Sequence, residues 1–228
     1  MFKITIAFSA IALAALGWQE PRRAPVLPLK EEALVLEYTA SANEAVIKIE
    51  AESEEQLKFL QVHSPTGQLV FELRARNTHL HTLSGFVVEM QEATADELLE
   101  MYPEGLYQIH GRSVDGKLAR GYARLSHTLP LAPDIVYPYP EALVPTDDLI
   151  LSWIPDDNVE EYVVSLEQDE NDGLTVHLPA GSREFRVPNG VLRPAVPTQF
   201  ELGAIGPNGN VTLVEVEFVT MPTSFQKR

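Results

Sequence analysis

The stretch Leu149-Ile-Leu-Ser-Trp-Ile-Pro155, followed shortly by Glu161-Tyr-Val-Val-Ser-Leu-Glu-Gln168, decides the fold of this chain. Both segments alternate large apolar residues with others at the two-residue period of a β-strand. The residues that share one face are Leu149, Leu151 and Trp153 in the first segment, and Tyr162, Val164 and Leu166 in the second. A tryptophan on one strand and a tyrosine on the next form a large apolar anchor. We therefore predict a β-sandwich in the C-terminal half.

Composition sets the limits within which the rest is interpreted. The chain has 228 residues, 45% hydrophobic and 22% charged, which is typical of a globular protein with one large or two small domains. Its formal charge of −16 repels nucleic acid and favours cations or cationic partners, or simply supports solubility. The absence of cysteine excludes disulfides, thiolate nucleophiles and cysteine-bound metals.

The N-terminus has the pattern of a secretory signal peptide over residues 1–17. Lys3 precedes an apolar run, and Ala15 and Gly17 occupy the small-residue positions of a cleavage site. The run is too short to span a bilayer comfortably, although a buried helix or an uncleaved anchor is the alternative. We predict an exported protein, periplasmic or secreted, with no transmembrane anchor after cleavage. Residues 18–32, rich in proline and charge, are predicted to be an extended tether.

Residues 33–128 are predicted to form a β-sandwich-like domain with one short helix. Ala45 to Ala51 alternate cleanly with charged residues, 57–62 forms a separate strand, and a later strand region is broken near Gly85. Thr94 and Glu97 form a capping box that opens a helix ending at Met101, with Leu98 and Met101 buried. Asp115-Gly116 predicts a tight hairpin between two further strands.

Five prolines in residues 129–145 predict a stiff linker that sets a defined angle between two domains. The second domain, residues 133–221, resembles a fibronectin type III domain. The residues that carry the resemblance are Pro133, Trp153 with Pro155, Tyr162-Val-Val164, Leu192-Arg-Pro194, Thr198-Gln-Phe200-Glu-Leu202-Gly-Ala204 and the Asn208-Gly209 turn. The resemblance implies an immunoglobulin-like sandwich and an all-β chain of two such domains in tandem.

The second domain departs from that family's pattern at its corner, where Phe200 replaces the usual tyrosine and cannot donate the corner hydrogen bond. The whole chain also resembles a group of exported bacterial proteins with an N-terminal β domain of unassigned activity. The resembling stretches are Leu34-Val-Leu-Glu-Tyr38, Tyr102-Pro-Glu-Gly-Leu-Tyr107 and Leu125-Ser-His-Thr-Leu-Pro130. This second resemblance implies architecture and export, and no chemistry.

Two clusters have the residue types of a metal site. His79 and His81 share one face of a predicted strand, with His63, His110 or His127 as a third ligand, but two surface histidines are the simpler interpretation. Asp169, Asn171 and Asp172 form an oxygen-rich loop in which calcium is possible, with Asp156 to Asn158 joining if the loops converge. A solvated hairpin turn needs no ion, so we predict no cofactor.

Paired carboxylates occur at Asp147-Asp148 and Glu54-Glu55, beside turns where solvated charge is usual. The chain lacks the signatures of serine hydrolases, zinc-helix proteases and phosphate-binding loops, so we predict no enzyme activity. Asn210-Val-Thr212 is a glycosylation sequon, expected to be unused in a bacterial protein.

We predict a non-catalytic exported binding, adhesion or spacer module that presents sandwich loops and edges to a protein or carbohydrate partner, not to nucleic acid. The predicted surfaces are the loops 156–158 and 206–210, which the resemblance places at one end of the sandwich. The alternative is a small secreted hydrolase or carbohydrate-active protein with carboxylates between its domains. The sequence leaves the oligomeric state open.

Overall fold

The computed structural model describes residues 26–76, 82–91, 94–169 and 172–223, excepting the side chains at 31, 169 and 172. The predicted signal peptide lies outside these residues. The described elements of the first half are β1 (Val26–Pro28), β2 (Lys30–Thr39), β3 (Glu44–His63), β4 (Leu69–Arg74), β5 (Leu83–Gln91), α1 (Ala95–Met101), β6 (Gly105–Ser113) and β7 (Leu118–Leu125). Those of the second half are β8 (Asp134–Tyr137), β9 (Leu143–Val144), β10 (Ile150–Ile154), β11 (Glu161–Asp169), β12 (Asp172–Pro179), β13 (Glu184–Arg186), β14 (Pro197–Ile205) and β15 (Val211–Thr220).

The second half forms the predicted sandwich around Trp153. β10 lies between β8 and β13 in a three-stranded sheet, while β11 lies in a second sheet between β12 and β14, with β15 next. Trp153 and Tyr162 face each other across the two layers, with ring centroids 5.5 Å apart. The alternating residues of both strands are buried with Phe200, Leu202 and Phe218. The predicted anchor is therefore the centre of this core.

The first half has two layers built on one long strand. In β3, residues 44–52 pair with β2, and residues 46–52 together with Leu57 pair with β5. Residues 57–63 pair with β6, and residues 59–63 pair with β4 on the other side. The register shifts between Glu52 and Leu57, where β3 passes from one layer to the other. The prediction of a separate strand at 57–62 is wrong, because the chain bends there without leaving the sheet. The expected break near Gly85 is also absent, since β5 runs through it.

Residues 26–32, inside the predicted tether, are part of the fold. β1 pairs with β7 in parallel, Leu29 is buried, and β2 begins at Lys30 and pairs with β3. This segment therefore pairs with both β7 and β3 and contributes Leu29 to the first core. The predicted linker at 129–145 is likewise built into the second sandwich in part, because β8 pairs with β10 and β9 with β15.

The helix begins as predicted and buries less than predicted. The Thr94 hydroxyl accepts a hydrogen bond from the Glu97 amide at 3.2 Å, as the capping box requires. Leu98 is fully buried against the first core. Met101 is 56% exposed, because it lies in the last turn, facing away from that core. The predicted all-β fold class with a short helix is confirmed.

Candidate functional site

The two halves meet at Asn210, whose side chain is 1% exposed. Its carbonyl oxygen accepts a hydrogen bond from the Leu36 amide of β2 at 2.9 Å. Its amide nitrogen donates to the carbonyl oxygens of Ser126 and Thr128, each at 2.8 Å. Both amide hydrogens and the carbonyl are therefore used, all by groups of the first half. The sequon that contains Asn210 is part of an interface in the folded chain and is inaccessible to a glycan.

Backbone pairing extends this joint along β15. Val211 to Leu213 pair in parallel with Glu37 to Thr39, so the sheets of the two halves join in one hydrogen-bonded sheet. Ala40 donates to the Leu213 carbonyl at 2.8 Å, and the Thr212 hydroxyl donates to the Pro130 carbonyl at 2.8 Å. Buried polar groups that find partners on both sides of an interface fix its geometry. The joint is thus a specified contact between the two sandwiches.

A groove of about 520 Å³ lies beside the joint. It is lined by Leu129 to Leu131, by Asp156 and Asn158, and by Gly206 to Asn208. The two loops predicted to share one end of the sandwich therefore do so. Only one of them is free, however, because Asn208 donates to the Thr128 carbonyl at 2.9 Å and Asn210 is buried. The loop 206–210 belongs to the joint, and the prediction that it is a binding surface is wrong for Asn210.

The loop 156–158 is held in place by its own hydrogen bonds. The Asp156 carboxylate accepts from the Asn158 amide at 2.8 Å and from its side-chain nitrogen at 3.0 Å. The Asp156 amide donates to the Tyr162 hydroxyl at 2.8 Å. Burial raises the pKa of Tyr162, so this hydroxyl stays neutral and able to accept that bond. The groove is therefore bordered on one side by a preorganised turn.

The predicted metal ligands are only partly within the described residues. His79, His81 and Asn171 lie outside them, as do the side chains of Asp169 and Asp172. The three histidines predicted as possible third ligands do not all lie together. The ring centroids of His63 and His110 are 5.3 Å apart, whereas the His127 ring contacts the Tyr102 carbonyl. Within residues 26–76, 82–91, 94–169 and 172–223, no group of three acids or histidines has the arrangement of a metal site. The absence of a cofactor, with calcium as the possible exception, stays a prediction.

The proposed convergence of loop 156–158 with the Asp169–Asp172 turn does not occur. β11 begins at Glu161, just after the first loop, and ends at Asp169 in the second. A strand of this length separates its ends by roughly 26 Å. The two acidic loops therefore lie at opposite ends of the second sandwich.

The paired carboxylates are separate surface ion pairs. Glu54 lies 2.7 Å from the Lys30 ammonium, whose hydrogen bond and charge lower the Glu54 pKa. Glu55 pairs with Lys117, and Asp148 lies 3.0 Å from Arg186. Glu54 and Asp148 are exposed and Glu55 is half-buried, and each of the three faces a cation, not a second acid across a cleft. This arrangement gives no support to a carboxylate pair in an interdomain cleft.

A strongly acidic surface follows the outer face of β14 and β15. Glu201 lies directly opposite Glu215 in the strand register, and Glu37 and Glu167 lie nearby. Burial raises the Glu201 pKa first, and the negative charges of Glu215, Glu37 and Glu167 raise it further. A concavity of about 570 Å³ opens beside this surface, bordered by Glu167, Glu215 and Glu217. Like charges paired directly across strands destabilise the sheet.

No known family model matches the sequence, and no curated protein matches it. Among solved structures, the chain is similar to the fibronectin(III)-like modules of Clostridium thermocellum CbhA, at 8% identity and a TM-score of 0.37, covering 88% of this chain and 96% of that one. It is also similar to the chicken CNTN1 FN1-FN3 domains (10%, 0.34, 86% and 65%) and to a two-domain fibronectin type-III segment of chicken tenascin (10%, 0.32, 84% and 95%). All three TM-scores are below 0.5, so these similarities carry no functional conclusion. Within the described residues, no helix has the length and apolarity needed to cross a membrane.

Sequence reasoning missed the joint. Asn210 is one asparagine in a turn-rich segment, and its partners Leu36 and Thr128 are 174 and 82 residues away. The usable signal was the segment Val211 to Thr220, an apolar final strand that needs a neighbour on its second edge. The sequence does not say that this neighbour is β2.

Proposed function

We propose that the chain is a non-catalytic exported module that holds a partner-binding surface at a fixed orientation, as an adhesion or spacer unit. The observation that carries this proposal is the joint at Asn210. A spacer built from two sandwiches holds a surface in a fixed orientation only if the sandwiches do not rotate relative to one another. The buried Asn210 side chain makes all its hydrogen bonds across the interface and therefore opposes such rotation.

The partner surface of this proposal is the loop 156–158 with the adjoining groove and the free edge of β12. The volume of the groove lies in the range of ligand sites, and its lining mixes leucines and prolines with a few polar groups. Among the described strands β12 ends the joined sheet, so its outer backbone groups are available for strand addition by a peptide. A protein or carbohydrate partner is the class that such surfaces take.

The proposal is tested by measuring the orientation of the two sandwiches in solution. The chain has no cysteine, so Gln68→Cys and Gly181→Cys can be introduced together and spin-labelled, one in each half. A β-carbon at Gly181 meets no atom within 4 Å, and Gln68 is exposed, so neither change disturbs packing. Pulsed electron–electron double resonance should give one narrow distribution of the distance between the two spin labels.

The matched variant adds Asn210→Ala to the same labelled pair. We expect the distribution to broaden, while Asn189→Ala, which removes a hydrogen bond to the Asp148 amide within the second sandwich, leaves it narrow. A broad distribution in the unmodified joint would overturn the spacer role. Export is tested separately, by N-terminal sequencing of the mature protein, which should begin at Trp18.

A further inference from the structure

One outer sheet face of the first half differs in charge from the rest of the chain. β4, β6, β7 and residues 57–63 of β3 contain five basic residues and one acid, Glu72, in a chain whose net charge is −16. Four arginines project outward from this face, here called the arginine face: Arg74, Arg112, Arg120 and Arg124. Glu72 is already engaged by Arg74 and Gln61. The face is therefore locally cationic.

The strand register places two rows of polar side chains across this face. Gln61 lies opposite His110, which lies opposite Arg120. In the next row His63 lies opposite Gln108, which lies opposite Tyr122. The intervening residues of the three strands, from Leu60 and Val62 to Ala119 and Ala123, are buried in the core. The alternation thus fixes both rows on the outside.

These rows border a groove of about 400 Å³, here called the His–Gln groove. Its lining residues that carry the proposal are Phe59, Gln61, His63, Gln108, His110 and Arg120. Burial lowers the pKa of His110, and the nearby His63 and Arg120 lower it further. The imidazole of His110 therefore senses both the desolvation and the positive charge of the groove. A concave, partly dehydrated cluster of amides, imidazoles and a guanidinium has the character of a binding site.

His63 adds an independent sign of a missing partner. Its Nδ1 atom is buried, and no described residue makes a hydrogen bond to it. Nearly all buried polar atoms in folded proteins have a partner, and an unpaired one is costly. The imidazole ring that lines the groove therefore has an unsatisfied hydrogen-bonding atom.

The donors and acceptors in the groove match a sugar that carries a carboxylate. Amide and imidazole groups such as Gln108 and His63 bind hydroxyls in both donor and acceptor roles. A guanidinium binds a carboxylate through two parallel hydrogen bonds. Tyr122, 51% exposed beside Gln108, offers an aromatic face to the C–H groups of a pyranose ring.

The same face favours a chain over a single sugar. Arg120 and Arg124 lie four residues apart on β7, a separation of about 13 Å along the strand, with Tyr122 between them. No carboxylate of the described residues forms an ion pair with either arginine. A polymer lying along β7 would meet a guanidinium, an aromatic ring and a second guanidinium in turn. Nucleic acid, a denser polyanion, is disfavoured by the net charge of −16.

We propose that the His–Gln groove and the arginines of β7 form a binding site for an acidic polysaccharide, a chain of sugars bearing carboxylates. This proposal goes beyond the proposed spacer role, because it names a ligand class and a surface distinct from the loop 156–158.

The test is isothermal titration of the full mature chain with tetragalacturonate, with its fully methyl-esterified form as a ligand of the same rings without charge. We expect binding of the acid and not of the ester. Arg120→Gln should weaken binding about tenfold or more, because it removes a charged hydrogen-bonding partner. Arg183→Gln, which removes an equal charge from an exposed position of the second sandwich, should leave affinity unchanged.

Circular dichroism and the melting temperature establish that each variant is folded, and amide chemical-shift mapping of the unmodified chain locates the ligand without any substitution. Shifts confined to β3, β6 and β7 support the site. No binding at millimolar tetragalacturonate, equal binding of the ester, or equal losses in Arg120→Gln and Arg183→Gln would each overturn the proposal. Tetraglutamate binding as tightly as the sugar would replace it by an acidic peptide site. None of these outcomes alters the spin-label distances, so a failure here is separate from a failure of the spacer role.

Discussion

Replacing Asn210 by alanine should uncouple the two sandwiches. The substitution removes the carbonyl that accepts from Leu36 and the amide that donates to Ser126 and Thr128. At about 1 kcal/mol per hydrogen bond, the three together correspond to about 3 kcal/mol of unfolding free energy. For a chain of this size, 1 kcal/mol corresponds to about 2–4 °C, so the melting temperature of the first transition should fall by roughly 6–12 °C.

Differential scanning calorimetry gives the sharpest measurement of this effect. Each sandwich has its own buried core, so loss of the joint should split one calorimetric peak into two. Asn189→Ala is the matched control, since it removes one hydrogen bond between exposed residues of the second sandwich and should cost below about 1 kcal/mol. If Asn210→Ala melts as one peak within about 1 °C of the unmodified chain, the joint does not couple the halves.

Three further substitutions test separate parts of the structure. Glu201→Gln should raise the unfolding free energy at pH 7 by about 0.5–1 kcal/mol in urea titrations, because it removes a negative charge directly opposite Glu215. The folded-state pKa of Glu201 is raised, so the charged carboxylate destabilises the fold. As the pH falls through that pKa, the carboxylate is protonated and the unmodified chain regains this stability. Below the unfolded-state pKa, near 4.5, the unmodified chain and Glu201→Gln should have equal free energies of unfolding. Thr94→Ala should lower stability by about 1 kcal/mol in the same titration through loss of the helix cap, and full stability in this variant would contradict the cap. Gly105→Ala should cost more than Gly116→Ala in thermal melts: both have positive φ, but only at Gly105 would a β-carbon lie 2.8 Å from a proline side chain, and equal melting temperatures would argue against that contact.

The sequence predicts the second sandwich well because the pattern that specifies it lies within short stretches of neighbouring residues. Trp153 and Tyr162 lie in clean two-residue alternations, and alternation alone places them on buried faces. The Thr94 cap is read equally well, since the hydroxyl and the amide it bonds are three residues apart.

The errors have a common physical origin in long-range pairing. Whether residues 52–57 turn out of the sheet or bend within it depends on β6, which is found about 50 residues later. Residues 26–32 look like a tether by composition, and only their pairing with β7 makes them structural. The His–Gln groove is missed for the same reason, because register across three strands brings Gln61, His110 and Arg120 into one row.

The bond between Leu36 and Asn210 also has a consequence for how the molecule matures. It spans 174 residues, so the edge of β2 that pairs with β15 stays unpaired until residue 213 has been synthesised. A nascent chain arrested before residue 213 would keep that edge open to invading strands. β15 therefore covers a strand edge that would otherwise be exposed, and deletion of residues 211–220 should reduce solubility more than the number of residues suggests.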